Sequence, residues 1–143
     1  MNGQDLANKV LQGKDGNIWI NGQLLATLSK IEVKVKADTE DVNFCGDSRT
    51  YKKRNGYTGE GTLSLKKIDS TLFKIVADAF KSGVMPSTKI ITALTDKATG
   101  KSERTSIEGV IFTEFILASI EAKKMLEEEF PFSFSDYEVL ETI

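Results

Sequence analysis

Toward the C-terminal end the chain runs Glu127-Glu128-Glu129-Phe130-Pro131-Phe132-Ser133-Phe134-Ser135-Asp136-Tyr137. Phe130, Phe132 and Phe134 recur at period two, the spacing that puts alternate side chains on one face of a β-strand. Burying that face commits the chain to a sheet with a packed interior. Pro131 has no N–H for a sheet ladder, which restricts it to an edge, a strand start or a bulge. Carboxylates directly before so apolar a strand mark the border of a sheet, either shielded from pairing or kept for a partner.

Partners for that strand are written upstream. Ile31, Val33, Val35 and Ala37 alternate with Glu32, Lys34 and Lys36. A second strand runs from about Tyr57 to Lys67, with Gly59, Gly61, Leu63 and Leu65 on one face. Thr58, Glu60, Thr62, Ser64 and Lys66 take the other. Asn21-Gly22, between residues 17–20 and 23–28, predicts a hairpin, because this pair accepts positive φ at both turn positions. Residues 89–95, a polar turn over 96–100 and residues 104–112 predict another hairpin. Phe115 to Ile120 is apolar on both faces, so it belongs centrally in the sheet or partly against another subunit. Residues 115–121 and 124–137 are expected to complete the strands.

One helix is predicted. Leu72, Phe73, Val76, Ala79 and Phe80 form an apolar stripe at three- and four-residue spacing. Asp69 or Ser70 suits its N-cap, Gly83 suits a left-handed C-terminal cap, and Pro86 stops continuation. Residues 1–16 read as an N-terminal arm carrying Leu6, Ala7, Val10 and Leu11 at helical spacing. Residues 38–55 are polar and aperiodic and read as a long inter-strand loop, mobile in an isolated subunit. The expected fold is mainly β with one α-helix: one domain over residues 1–143, a small β-barrel or sandwich packed by the helix.

The missing chemistry narrows function. Among 143 residues there is no histidine and one cysteine, Cys45. Histidine-based nucleophile pairs, histidine metal sites and a structural zinc site are therefore excluded. Gly56, Gly59 and Gly61 lead into a strand and not a helix, which does not fit a dinucleotide fingerprint. No catalytic, cofactor-binding or metal residue is assigned. A net charge of −2 argues against bulk attraction to nucleic acid. No run reaches the roughly 18 apolar residues of a membrane span, so stable membrane association is not expected.

The order of these features suggests a family. Gly13-Lys14-Asp15-Gly16 precedes the first strand and is followed by the Asn-Gly hairpin and the polar excursion. Gly56-Tyr57-Thr58-Gly59-Glu60-Gly61-Thr62, one helix and the acidic Phe-Pro-Phe segment come next. Along its whole length the chain resembles tail tube proteins of contractile phages, particularly those of defective Bacillus prophages and clostridial phage-tail-like particles. The resemblance implies the fold shared with the type VI secretion tube. It also implies hexameric rings stacked into a hollow tube inside a contractile sheath, with strands of six subunits closing one inner β-barrel. The implied partners are further copies of the chain, the sheath, baseplate and tape-measure proteins, and DNA in non-specific transit. The implied location is a virion or bacteriocin-like particle assembled in bacterial host cytoplasm.

Under that resemblance, Arg49, Lys52, Lys53 and Arg54 are expected to contact an acidic surface of the next subunit or ring. Glu127, Glu128 and Glu129 are either their acidic counterpart or gatekeeping charges beside an aggregation-prone strand. Glu32, Lys34, Lys36, Thr58, Glu60, Thr62 and Ser64 are the expected lumen lining, with outer solvent or the sheath as the alternative surroundings. Trp19 is read as core or interface, and Cys45 as inert. Two other classes compete: a monomeric β-barrel enclosing a small apolar ligand, and a hydrolase built on carboxylates.

Overall fold

Period-two burial is realised where the sequence shows it most strongly. In the computed structural model, which describes residues 3–11, 13, 16–25, 27–66, 71–84 and 86–143, strand β8 (Glu127–Phe134) buries Phe130, Phe132 and Phe134. It pairs antiparallel with β4 (Thr50–Lys66), which in turn pairs with β3 (Leu28–Asn43). The two-residue β7 (Ile111–Phe112) flanks β8 on its other side. This gives a four-stranded sheet in the order β3-β4-β8-β7.

A five-stranded sheet in the order β2-β1-β5-β6-β9 completes the framework. Its strands are β1 (Gly16–Ile20), β2 (Gln23–Leu24), β5 (Ile90–Thr95), β6 (Ser102–Glu108) and β9 (Asp136–Glu141). Asn21 and Gly22 both take positive φ, 51° and 84°, in the predicted β1–β2 turn. Ile18, Ile90 and Ile107 from this sheet meet Leu63, Leu65 and the β8 phenylalanines in one core.

Helix α2 (Thr71–Ser82) places Leu72 and Val76 in the same core. Gly83, at φ 76°, closes its C-terminus by donating N–H to the Ala79 carbonyl at 2.9 Å. Phe80 lies at the rim of the apolar stripe and stays largely exposed. Asp69 and Ser70, the expected caps, and Lys67 lie outside the described residues. The N-terminal arm holds a short helix, α1 (Gly3–Asn8), with no buried residue.

Pro131 sits where its missing donor costs little. Its carbonyl accepts from the Thr113 N–H at 2.9 Å, on the side of β8 away from β4. A residue's N–H and C=O leave a strand on the same side, so the absent N–H takes nothing from the β4–β8 ladder.

The chain changes sheets twice at one place. Gly109 (φ 68°) separates β6 from β7, and Ser135 separates β8 from β9. There the Ser135 N–H donates to the Glu108 carbonyl at 3.2 Å. Residues 104–112 and 124–137 are therefore not single strands, because each is divided by a crossover between sheets.

Two further expectations are corrected. Residues 38–55 are not a long loop: β3 continues to Asn43 and β4 begins at Thr50, leaving only 44–49 as the turn. Phe115 to Ile120 is not a central strand, since residues 113–126 hold no strand and Ile116, Leu117 and Ile120 are exposed. The two sheets do not close into a barrel within one subunit, so the enclosed ligand site required by the competing reading is not formed.

Candidate assembly surfaces

Antiparallel register brings separated polar residues onto one surface. Glu32 faces Thr62, Lys34 faces Glu60 and Lys36 faces Thr58 across β3 and β4. Ser133 and Pro131 of β8 extend the same face opposite Glu60 and Thr62. Its reverse carries Leu63, Phe130 and Phe132, so one sheet is wet on one side and dry on the other. Ser64 departs from the expected lining. It shares the parity of Thr62 but is only 5% exposed, so it does not belong to the open surface of a single subunit.

The charges on this face compensate locally. Lys34 Nζ lies 3.1 Å from Glu32 Oε1, and Lys30 Nζ lies 3.9 Å from Glu32 Oε2. Hydrogen bonding to Lys34, then the charges of Lys34 and Lys30, hold the Glu32 carboxyl below its ordinary value. The result is a mixed, hydrated surface.

The outer part of the β3–β4 hairpin is a second surface. Beyond Gly59, where pairing with β8 ends, the two strands continue together to the Asn43–Thr50 pair. The segment from Thr50 to Gly56 corresponds to about 20 Å of arm at ordinary strand rise. It leaves the body at a bulge: Asp38 pairs with Gly56 and Thr39 with Arg54, which skips Asn55, while Gly56 adopts φ 131°. Glu40 faces Lys53, and the Lys52 ammonium contacts the Asp41 carboxylate.

The tip is organised around Asp47. Its carboxylate accepts from the Arg49 backbone N–H at 2.9 Å, the Arg49 Nε–H at 3.2 Å and the Tyr51 hydroxyl at 2.7 Å. These bonds, the Arg49 N–H first, hold the Asp47 carboxyl below its usual value. The contribution of these bonds to the tip is therefore fully present above the unfolded carboxylate pKa and is lost as pH falls through the lowered folded value. Phe44 packs edge-on to Tyr51 at 5.8 Å, and Cys45 is exposed in this turn.

The expected basic and acidic clusters do not meet within one subunit. Arg49, Lys52, Lys53 and Arg54 lie on the outer arm. Glu127, Glu128 and Glu129 instead face Lys66, Leu65 and Ser64 of the body, with Glu127 3.9 Å from Lys66. Trp19 is half-buried on β1. Among the described residues, no group of three histidine, cysteine or acidic side chains is placed to hold a metal.

Sequence reasoning missed the outer arm and left segment 115–126 open between two readings. The arm was hidden because neither of its faces is buried, which removes the hydrophobic alternation that identifies a strand. Its available signal was charge complementarity, with Glu40 and Asp41 on one side and Lys52 and Lys53 on the other. The exposed apolar segment 115–126 was visible by composition, but composition does not separate a buried strand from a docking surface.

Comparison with known proteins agrees with this geometry. The family described as phage tail tube protein matches residues 6–141. The phage-like element PBSX protein XkdM of Bacillus subtilis (strain 168) is 30% identical over 139 residues, covering 96% of this chain and 95% of the relative. The tube-terminating cap of the anti-feeding prophage has the same fold, with TM-score 0.77 at 10% identity over 93% of this chain and 92% of that one. A chain from the sheath-tube complex of the extracellular contractile injection system PVC, in its extended state, aligns with TM-score 0.75 at 12% identity over 99% of both chains.

Proposed function

The chain belongs to the phage tail tube protein family, as a structural component and not an enzyme, and from this we propose that six copies close into a ring and that rings stack into a hollow tube. The observation that carries the proposal is the four-stranded sheet. One face is core, the other is the polar Glu32–Thr62, Lys34–Glu60 and Lys36–Thr58 surface, and the 16-residue β3 forms an unpaired border. An open border of that length invites continuation of the sheet by another chain. Continuation around a ring removes both borders of this sheet and turns its polar face into the wall of a channel.

The tube runs inside a contractile sheath, in keeping with the sheath-tube source of one structural match. Baseplate and tape-measure proteins are its further partners, and the tube serves as the conduit or puncturing needle for delivery into a target cell. Glu32, Lys34, Lys36, Thr58, Glu60 and Thr62 line the lumen. Two acids, two bases and two hydroxyls are mixed there, so a polyanion passing through meets no sustained basic field and does not stick.

Electron microscopy and native mass spectrometry of concentrated protein should show six-fold rings, tubes and a hexamer. A protein that stays monomeric and does not add to pre-formed tubes would refute the reading. Single cysteines at Lys34 and Thr62, in a Cys45→Ser background, test the orientation of the wall. In intact tubes a small maleimide should reach both positions through the lumen, and a bulky one should label them much more slowly. Fast labelling by the bulky reagent along the outside would place this face outward.

The outer hairpin joins one ring to the next. Replacing residues 41–52 by a two-residue Asn-Gly turn should leave thermal stability nearly unchanged, because the arm pairs only with itself. Rings should still form without stacking. Normal tubes from this variant would remove the arm from assembly.

A further inference from the structure

We propose that the apolar segment 115–126 of one subunit is the lateral contact of the ring, buried against the border formed by β9 and β3 of the next subunit. This rests on the ring reading above and adds which surfaces meet. The segment exposes Ile116 (53%), Leu117 (72%), Ile120 (88%) and Met125 (83%) within one short stretch. Single exposed apolar side chains are ordinary, but a run of this kind marks an interaction surface. It is held in place from below: Phe115 packs on Phe73 at 5.8 Å and on Phe80 at 5.1 Å, which ties the segment to α2.

A second apolar patch lies on the same molecule, on the edge strand of the five-stranded sheet. β9 is exposed along its whole length, with Val139 at 52% and Leu140 at 47%, and Ile143 beyond it is 49% exposed. Val139 pairs with Thr105 of β6, and Thr105 shares a cleft with Ser29, Lys30 and Ile31 of β3. The segment instead joins β7 to β8 and flanks a cleft with Leu126 to Phe130. In the order β3-β4-β8-β7 the β7 side, where the segment lies, and β3 are opposite borders of one sheet, while β9 is an edge of the other.

Two different apolar patches, one beside the β7 border and one on the β9 edge, point to a second copy of this chain as the occupant. A head-to-tail contact of this kind repeats around an axis until it closes. Charge favours the same pairing. The charged side chains of β9, Asp136, Glu138 and Glu141, are all acidic, while the segment carries Lys123 and Lys124 against Glu121, with Lys124 Nζ 3.3 Å from the Glu121 carboxylate, which leaves it net basic.

The test begins with rings of the unaltered protein. Ile120→Asp and Leu117→Asp change exposed side chains, so circular dichroism and melting of the isolated subunit should not move. The concentration needed for ring formation should rise by roughly tenfold or more, as for a central interface anchor. The double variant Ile120→Cys with Val139→Cys, in a Cys45→Ser background, should cross-link with a short bis-maleimide into a ladder ending at the hexamer. Rings that form normally with Ile120→Asp, or rings in which residues 120 and 139 do not cross-link, overturn this contact and leave the ring reading intact. Rings that form normally but no longer accept sheath would assign the segment to the sheath and overturn it as well. Absence of any ring from the unaltered protein overturns the ring reading, and this contact with it.

Discussion

Phe132→Asp should unfold the subunit, whereas Ser133→Ala should be nearly silent for folding. Phe132 is 2% exposed, and its ring centroid lies 6.1 Å from that of Phe112 and 6.4 Å from that of Phe134. Emptying such a site costs about 3–5 kcal/mol even when a methyl group remains. A carboxylate adds the penalty of an ion with no water and no partner. Together these reach the whole stability of a typical small domain, about 5–15 kcal/mol. Ser133 points to the opposite face, half-buried beside Glu60 and Ile111. Its loss should cost within about 0.5 kcal/mol, as for surface substitutions generally. Far-UV circular dichroism and thermal melting of both variants decide the matter. Comparable melting of the two would mean that the faces of β8 are reversed.

The parts of this fold that one subunit buries by itself were legible in the sequence. The phenylalanines of β8, Leu63 and Leu65 of β4, and the α2 stripe all follow a period because one subunit supplies both sides of their burial. The Asn21-Gly22 turn was legible because it is a purely local conformational requirement. Legibility failed where structure depends on something other than burial. The outer arm is held by cross-strand charge pairs and has no apolar face. At Gly109 and Ser135 the chain changes sheets while the pattern on either side stays strand-like, so nothing announces the break. Segment 115–126 could be read as a central strand because an apolar run has the same composition whether it is buried or exposed. The seven residues expected in the lumen show the mixture within one site. Register aligns Glu32, Lys34 and Lys36 with Thr62, Glu60 and Thr58, as strict alternation requires. Ser64 has the correct parity but is covered, which alternation alone does not reveal.

Gly61→Ala should destabilise the subunit more than Gly59→Ala, although exchange of glycine for alanine in extended backbone ordinarily stabilises by about 0.4–1 kcal/mol. Neither glycine has the positive φ that would make its backbone the reason for keeping it. The reason is the phenylalanine opposite. Gly61 pairs with Phe132 and Gly59 with Phe134, and each aromatic ring lies over the bare backbone across from it. A Cβ at Gly59 would meet the Phe134 ring at 2.3 Å, with no backbone atom among its nearest neighbours. Only that side chain, the last of β8, must give way. A Cβ at Gly61 would meet the Phe132 ring at 2.6 Å and also the backbone carbonyl of Glu32 at 2.6 Å, so β3 itself must shift. Overpacking of this kind costs about 1–3 kcal/mol, with Gly61→Ala at or above the upper end. The mechanism has a separable signature in double variants. Phe134→Leu should recover most of the loss from Gly59→Ala, because the clash is with a side chain. Phe132→Leu should recover little of the loss from Gly61→Ala, because the Glu32 carbonyl remains. Denaturant midpoints of the four variants measure this directly. A Gly61→Ala subunit as stable as the unaltered one would show that β3 and β4 are not packed this closely.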